Sequence, residues 1–329
     1  MRALASRCLG FPAAVVLGAL ALTLGAGHAE AKPLRIGHST WVAYGPFYVA
    51  REKGYFAAEG IEVELINIED DNLRAGALAA GELDAMGFKV DQVPLLLKPE
   101  ISLRYLFAVG ESKGADGLLA NRNIGKIAGL KGKRVAFADG STMHFYLNVL
   151  LGKAGLTQGD IEPVELTPGS AGRAFLKGEV DAALTWEPML SRGKKTGHVL
   201  ANTAKSPGLI VDIIVAPREI AAARRDEFRA LYRAWLKALD FVRRNPKDSP
   251  AIMARGVGRW LKSPIVFADS RSGTAYYNDK MNKAYFGTGT KPGGLSGTVQ
   301  SAIDIWSGFG RMQIKTTAEE LIDYGIVNE

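Results

Sequence analysis

The chain has one cysteine in 329 residues, Cys8, and it lies near the start. A single thiol builds neither a disulfide framework nor a cysteine-rich metal or redox site. Histidine is almost as scarce: His28, His38, His144 and His198 are well separated, and no His/Cys/Asp cluster has metal-ligand spacing. No G-x-G-x-x-G or Walker sequence occurs, and Gly140-Ser141-Thr142 lacks the G-x-S-x-G of a nucleophile elbow. Charge of one sign is nowhere concentrated. Lys and Arg are scattered among Asp and Glu with no run of five like charges, so the net charge of +7 does not describe a nucleic-acid surface. No sustained heptad is present. A balance of 47% apolar to 23% charged residues excludes long disorder, collagen and coiled coil, and is that of a folded soluble protein.

Long apolar runs are missing apart from one. Arg2 and Arg7 form a short basic start, Phe11 to Leu24 carries no charge, and Ala29-Glu30-Ala31 matches the small-x-small pattern cut by signal peptidase. The run falls short of the roughly 20 residues that a membrane-spanning helix needs. Residues 1–31 therefore read as a cleaved export signal. Cys8 lies inside it, followed by Leu9-Gly10, so it is not a lipid-anchor cysteine, and the remaining chain has none. Its stability must come from a large core. The length exceeds one core of about 100–150 residues and predicts two lobes.

What is present is an internal echo. Arg35-Ile36-Gly37 and Arg134-Val135-Ala136-Phe137 each begin a short apolar strand. Each leads through a polar loop, His38-Ser39-Thr40-Trp41 or Asp139-Gly140-Ser141-Thr142, into an aromatic-rich helix that stops at Gly54 or Gly155. Second strands follow, Ile61–Leu65 and Ile161–Leu166. Helices Leu73–Ala80 and Ala171–Lys177 then end at Gly81-Glu82-Leu83-Asp84-Ala85 and Gly178-Glu179-Val180-Asp181-Ala182, each leading to a third strand. Both Gly-Glu-x-Asp-Ala segments read as helix caps and strand starts that build the fold. Strand–helix–strand–helix–strand is a parallel α/β pattern, and two copies predict two similar lobes with the carboxyl ends of their strands lining a cleft.

Beyond Asp212 the chain turns helical. Phe228, Leu231, Tyr232, Trp235, Leu239 and Val242 recur every three or four residues as one packing stripe, ending before Asn245-Pro246. Further helices are expected around Ala251–Arg255 and Thr298–Ser307, and Lys291-Pro292-Gly293-Gly294 is a loop. The division is a first lobe over 32–116, a second over 117–212, and a mostly helical completion of the first over 213–329. Two crossings near Asp116-Gly117 and Asp212-Ile213 make a hinge.

Tyr48-Val49-Ala50-Arg51-Glu52-Lys53-Gly54-Tyr55-Phe56 with Glu59-Gly60-Ile61-Glu62-Val63 resembles the opening of periplasmic substrate-binding proteins of the nitrate/sulfonate/taurine (NitT/TauT) class. Leu130–Phe137 with Gly140-Ser141-Thr142 resembles the start of their second lobe, and Gly178–Ala182 through Trp186-Glu187-Pro188 the end of its third strand. The resemblance covers roughly residues 33 to 260 and is specific as a set. It implies a two-lobed type II periplasmic binding fold, each lobe a β-sheet flanked by helices, with the ligand cleft between them. It further implies a monomer, exported to the periplasm, that delivers a small solute to an ABC permease and ATPase, with no cofactor, no metal and no nucleic-acid partner. Thiamine-pyrimidine precursor binders are similar but less close.

The residues at the strand ends supply the candidate site. Both first-strand loops open helix N-termini, which favour anionic or acceptor groups. Ser141 and Thr142 cap the second helix or donate to a ligand, and His144, one turn in, packs or donates one bond. Trp41 and Tyr44, in a loop before Gly45-Pro46, line the cleft. Phe88 and Lys89 end the third strand, Lys89 facing ligand or solvent. Trp186 and Glu187 end the matching strand, where a ring and a carboxylate stack on and pair with a ligand, or Trp186 plugs the lobe's edge. Asp116 and Asp212 lie among apolar neighbours and need a partner, either a ligand cation or a hinge Lys or Arg. Three carboxylates against Lys89 lean toward an amine- or amidine-bearing solute, zwitterions such as taurine included, over nitrate. An enzyme of the pyrimidine-forming type on this fold, and a sensor passing its signal to a membrane receptor, are the alternatives. The missing catalytic signals count against the enzyme.

Overall fold

The computed structural model describes residues 32–328, and the expected export signal over residues 1–31 lies outside the described residues. The strands, in chain order, are β1 (Leu34–His38), β2 (Val63–Asn67), β3 (Ala85–Lys89), β4 (Leu103–Ser112), β5 (Asp116–Ala120), β6 (Arg134–Phe137), β7 (Glu162–Glu165), β8 (Ala182–Trp186), β9 (His198–Asn202), β10 (Val211–Pro217) and β11 (Thr274–Tyr276). They form two sheets, ordered β11-β4-β10-β3-β1-β2 and β7-β6-β8-β5-β9. Helices flank both sheets.

The internal echo is visible in the register. β2-β1-β3 and β7-β6-β8 are parallel triplets with the same order. Ile36 faces Ala85 in the first, and Val135 faces Ala182 in the second. The Gly-Glu-x-Asp-Ala segments do the same job twice. Asp84 accepts from the Arg35 backbone N–H at 2.9 Å, and Asp181 accepts from that of Arg134 at 2.9 Å. Gly81 and Gly178, at φ +72° and +76°, end the preceding helices in the left-handed region, where a side chain would be strained. A buried strand needs its edge amides paired, and a carboxylate just ahead of the third strand pairs the first strand's N–H while tying down its arginine.

The parallel reading holds only for the triplets. β10 runs antiparallel to β3 and β4, and β5 antiparallel to β8 and β9. The apolar runs Leu118-Leu119 and Ile213-Ile214-Val215, taken as flanks of crossings, are fully buried strand residues. The chain leaves the first sheet after Ser112 and enters the second at Asp116; it returns between Asn202 and Val211. Asp116 and Asp212 therefore sit inside strands, immediately past the crossings and not in them.

The helical stripe spans Arg225–Arg244, with Phe228, Leu231, Tyr232, Trp235 and Val242 buried. Trp235 packs its ring 4.9 Å from Phe47 and donates to the Tyr277 carbonyl at 3.0 Å, while Phe107 lies 5.2 Å from Tyr232. These rings join the last third of the chain to the first sheet, as does β11 pairing with β4. The helix Gly294–Gly308 reaches the other way: its Trp306 is buried in a cluster with Phe145 of the second lobe. No helix among the described residues is long and apolar enough to cross a membrane.

Candidate functional site

The sequence around each strand end determines which side chains meet. After β3 the chain continues Val90-Asp91 and turns through Val93–Leu96, which leaves Asp91 wholly buried. After β6, Ser141 caps the helix Thr142–Lys153, its hydroxyl accepting from the His144 N–H at 3.3 Å and donating to the Ala138 carbonyl at 2.6 Å. Thr142, next in the chain, donates its hydroxyl to Asp91 Oδ1 at 3.1 Å. This bond joins the first lobe to the second and places a carboxylate at a helix N-terminus, where the dipole favours it. Gln92 Nε2 donates to the other Asp91 oxygen at 2.6 Å, and Trp306 Nε1 donates to the Asp91 carbonyl at 2.7 Å. Burial pushes the Asp91 carboxyl up to about 6, against the stabilising hydrogen bond from Gln92, the charge of Lys89 and the bond from Thr142. Asp91 was absent from the sequence-derived set. Its signal was available: an acid directly after the apolar strand end Phe88-Lys89-Val90.

Asp212 lies opposite Lys89 in the β10–β3 ladder. Tyr44 donates its hydroxyl to Asp212 Oδ1 at 3.2 Å. Burial raises Asp212 to about 6; Lys89 and the Tyr44 bond oppose that, and the Asp116 charge adds to it. Asp116 lies opposite Trp186 in the β5–β8 ladder. Its carboxyl is also raised by burial, opposed by a hydrogen bond from Ser112 and by Lys89. Trp41, Tyr44, Lys89, Asp116, Thr142, Trp186 and Asp212 are thus brought to the same strand ends. Lys89 is partly exposed and also lies 3.8 Å from Asp71.

His144 and Ser141 take the packing and capping alternatives expected for them, while Phe88 and Glu187 need correction. His144 is buried and saturated: the Gly140 N–H donates to its Nδ1 at 3.0 Å, Nε2 bonds the Gln158 carbonyl oxygen, and the ring lies among Phe137, Trp306 and Phe309. Burial lowers its pKa, against the Gln158 bond and the charge of Asp139, whose Oδ1 lies 3.0 Å from Nδ1. Phe88 is buried beneath the Arg74 guanidinium, 5.2 Å from its ring, and does not face the cleft. Ser141 spends its hydroxyl on the helix cap and on Ala138. Glu187 is exposed and caps the next helix, accepting from the Ser191 N–H at 3.1 Å and from its hydroxyl at 2.9 Å. Each is satisfied by its own neighbours, which sequence spacing does not reveal.

Gly110-Glu111-Ser112-Lys113-Gly114 does match G-x-S-x-G, but it ends β4 and leads into β5. An elbow joins a strand to a helix. Ser112 here is buried and hydrogen-bonded to the Thr203 hydroxyl at 2.7 Å. Among the described residues no group of three or more His, Cys, Asp or Glu is placed to hold a metal ion. A cavity of about 350 Å³ lies elsewhere on the first lobe, against Leu78, Met86, Leu96, Ile101 and Leu103, and Lys98 is the one charged group lining it.

A family model described as NMT1/THI5 like matches residues 41–249. A putative binding protein of Brucella abortus (strain 2308) is 23% identical over 270 residues, covering 80% of this chain and 82% of its own length. The taurine-binding periplasmic protein of Escherichia coli K12 is 24% identical over 225 residues, covering 67% and 66%. Among solved structures, the periplasmic aliphatic sulphonate binding protein SsuA of Escherichia coli superposes with a TM-score of 0.70 at 22% identity, over 90% of this chain and 99% of that one. The two-sheet α/β architecture of periplasmic binding proteins, expected from the sequence, is the one observed.

Proposed function

The chain belongs to the NMT1/THI5-like family, and from that premise we propose that it is a solute-binding protein. Exported from the cytoplasm, it closes two lobes on a small organic nitrogen- or sulfur-bearing solute and passes it unchanged to an ABC importer. The observation that carries this reading is the meeting of strand ends from both sheets. Thr142 of one lobe bonds Asp91 of the other, and Asp116 and Asp212, on different sheets, lie within each other's field. Ligands in open α/β sheets lie beyond the carboxyl ends of strands. The relatives' roles as binding proteins support it further.

Mechanistically, the two chain crossings serve as the hinge. A solute docks on one lobe, the lobes rotate, and bonds such as Thr142 to Asp91 form across the gap. The test is to express the chain, release any co-purified solute by heat and identify it by mass spectrometry. Adding that solute back must raise the melting temperature, since mass action adds about 2.7 kcal/mol of stability at one hundred times Kd. It must also contract the particle in small-angle scattering. Chemical conversion of the solute by the pure protein would replace this reading with an enzymatic one.

A further inference from the structure

The charge of the solute can be argued from the groups that the cleft buries. Asp91, Asp116 and Asp212 are at most 9% exposed. None of them forms an ion pair with another described residue. Their hydrogen-bond partners are neutral donors: Gln92 and Thr142 for Asp91, and Tyr44 for Asp212. Lys89 is the one cation acting on all three, and it is shared with Asp71. The helix N-terminus at Thr142 offsets Asp91, which leaves Asp116 and Asp212 to divide a single partly exposed ammonium. A second, independent feature lies one turn along that helix from Thr142. The Tyr146 hydroxyl is wholly buried and completes no hydrogen bond, although Ser206 is near it and Asp116 acts on it. A phenol oxygen in that position accepts a bond from a donor. Trp186, 45% exposed and beside Asp116 in the sheet, adds an open aromatic face of the kind that attracts cations.

We propose that the cleft selects a solute with a positively charged nitrogen, an ammonium or amidinium, seated between Asp116 and Asp212 and donating to the Tyr146 hydroxyl. This rests on the solute-binding reading above. A zwitterion satisfies it if its anionic end lies toward Lys89; a bare anion does not, since it would add charge to a site already short of cations.

The test compares probes that differ in charge at nearly constant shape, using the chain without its export signal, stripped of solute by partial unfolding and refolding. Taurine and isethionate share a sulfonate and differ by an ammonium against a hydroxyl; ethanolamine and agmatine carry only positive charge; ethanesulfonate and nitrate carry only negative charge. Titration calorimetry and thermal shift are read for each. Binding by taurine, ethanolamine or agmatine, weakened about 10- to 100-fold in Asp212→Asn and in Asp116→Asn, supports the proposal. Lys89→Met gives the opposite sign: cation affinity rises and any anion affinity falls. This variant keeps the test open if an aspartate variant fails to fold. Isethionate or ethanesulfonate bound as tightly as taurine, or aspartate variants with unchanged affinity, overturns the charge assignment while leaving the solute-binding reading in place. No thermal shift from any probe, together with no solute released from the freshly purified protein, counts against both.

Discussion

Asp212→Asn should make the solute-free protein more stable at pH 8 and not at pH 4. Burial lifts this carboxyl from an ordinary value of 3.8 to about 6. An acid raised on folding binds its proton more tightly in the folded state than in the unfolded one. Its charged form therefore opposes folding above pH 6, and the penalty fades as pH falls through 6 toward 4. A lift of roughly two pH units corresponds to about 2–3 kcal/mol. Asparagine keeps an oxygen for the Tyr44 hydroxyl, now 3.2 Å from Asp212 Oδ1, and drops the charge. For a chain of this size the gain is about 3–5 °C in melting temperature. The assay is urea or thermal unfolding of stripped wild type and variant at pH 8, 6 and 4. The two curves should separate at pH 8 and converge at pH 4. A variant less stable than wild type at pH 8, or an equal offset at both ends, would refute the account of Asp212 as a buried charge kept for binding.

Other outcomes follow from the same contacts. Thr142→Val removes the bond between lobes to Asp91 and should weaken solute affinity about 5- to 20-fold, mainly through faster release in stopped-flow measurements, with little change in the unfolding midpoint. Asp84→Ala strips Arg35 and Arg224 of a shared buried carboxylate and should cost about 3 kcal/mol by urea titration while leaving Kd unchanged. Glu187→Ala removes a helix cap at an exposed site, so calorimetry should find affinity within about twofold of wild type and a loss of about 1 kcal/mol in stability. A tenfold loss of affinity there would return Glu187 to the ligand.

The fold was legible where its causes are local. The repeated strand, helix and Gly-Glu-x-Asp-Ala segments predict the two parallel triplets because each unit is built from residues close in sequence, and Ile36 and Val135 take equivalent partners. The antiparallel strands β5 and β10 were not anticipated. β10 is separated from its triplet by both crossings, β5 precedes the triplet it joins, and a short apolar run carries no label of direction. The candidate site was read as a set of strand ends, and Tyr44, Lys89, Asp116, Thr142 and Asp212 lie at those ends. What escaped was satisfaction. His144, Ser141 and Glu187 look available in a string of letters, yet each closes its hydrogen bonds within its own lobe. Asp91 needed knowledge of which loop meets the second lobe's helix, and that contact joins residues 51 apart.

Asp116 is the first residue of β5 and Asp212 the second of β10, each directly past a linker that the proposed closure uses as its pivot. Points near a pivot travel least. Under that proposal the pair would be much the same in the gaping and the shut molecule, and an arriving cation would meet its anchor before any large movement begins. Capture would then be governed by diffusion and ionic strength, and retention by the gate.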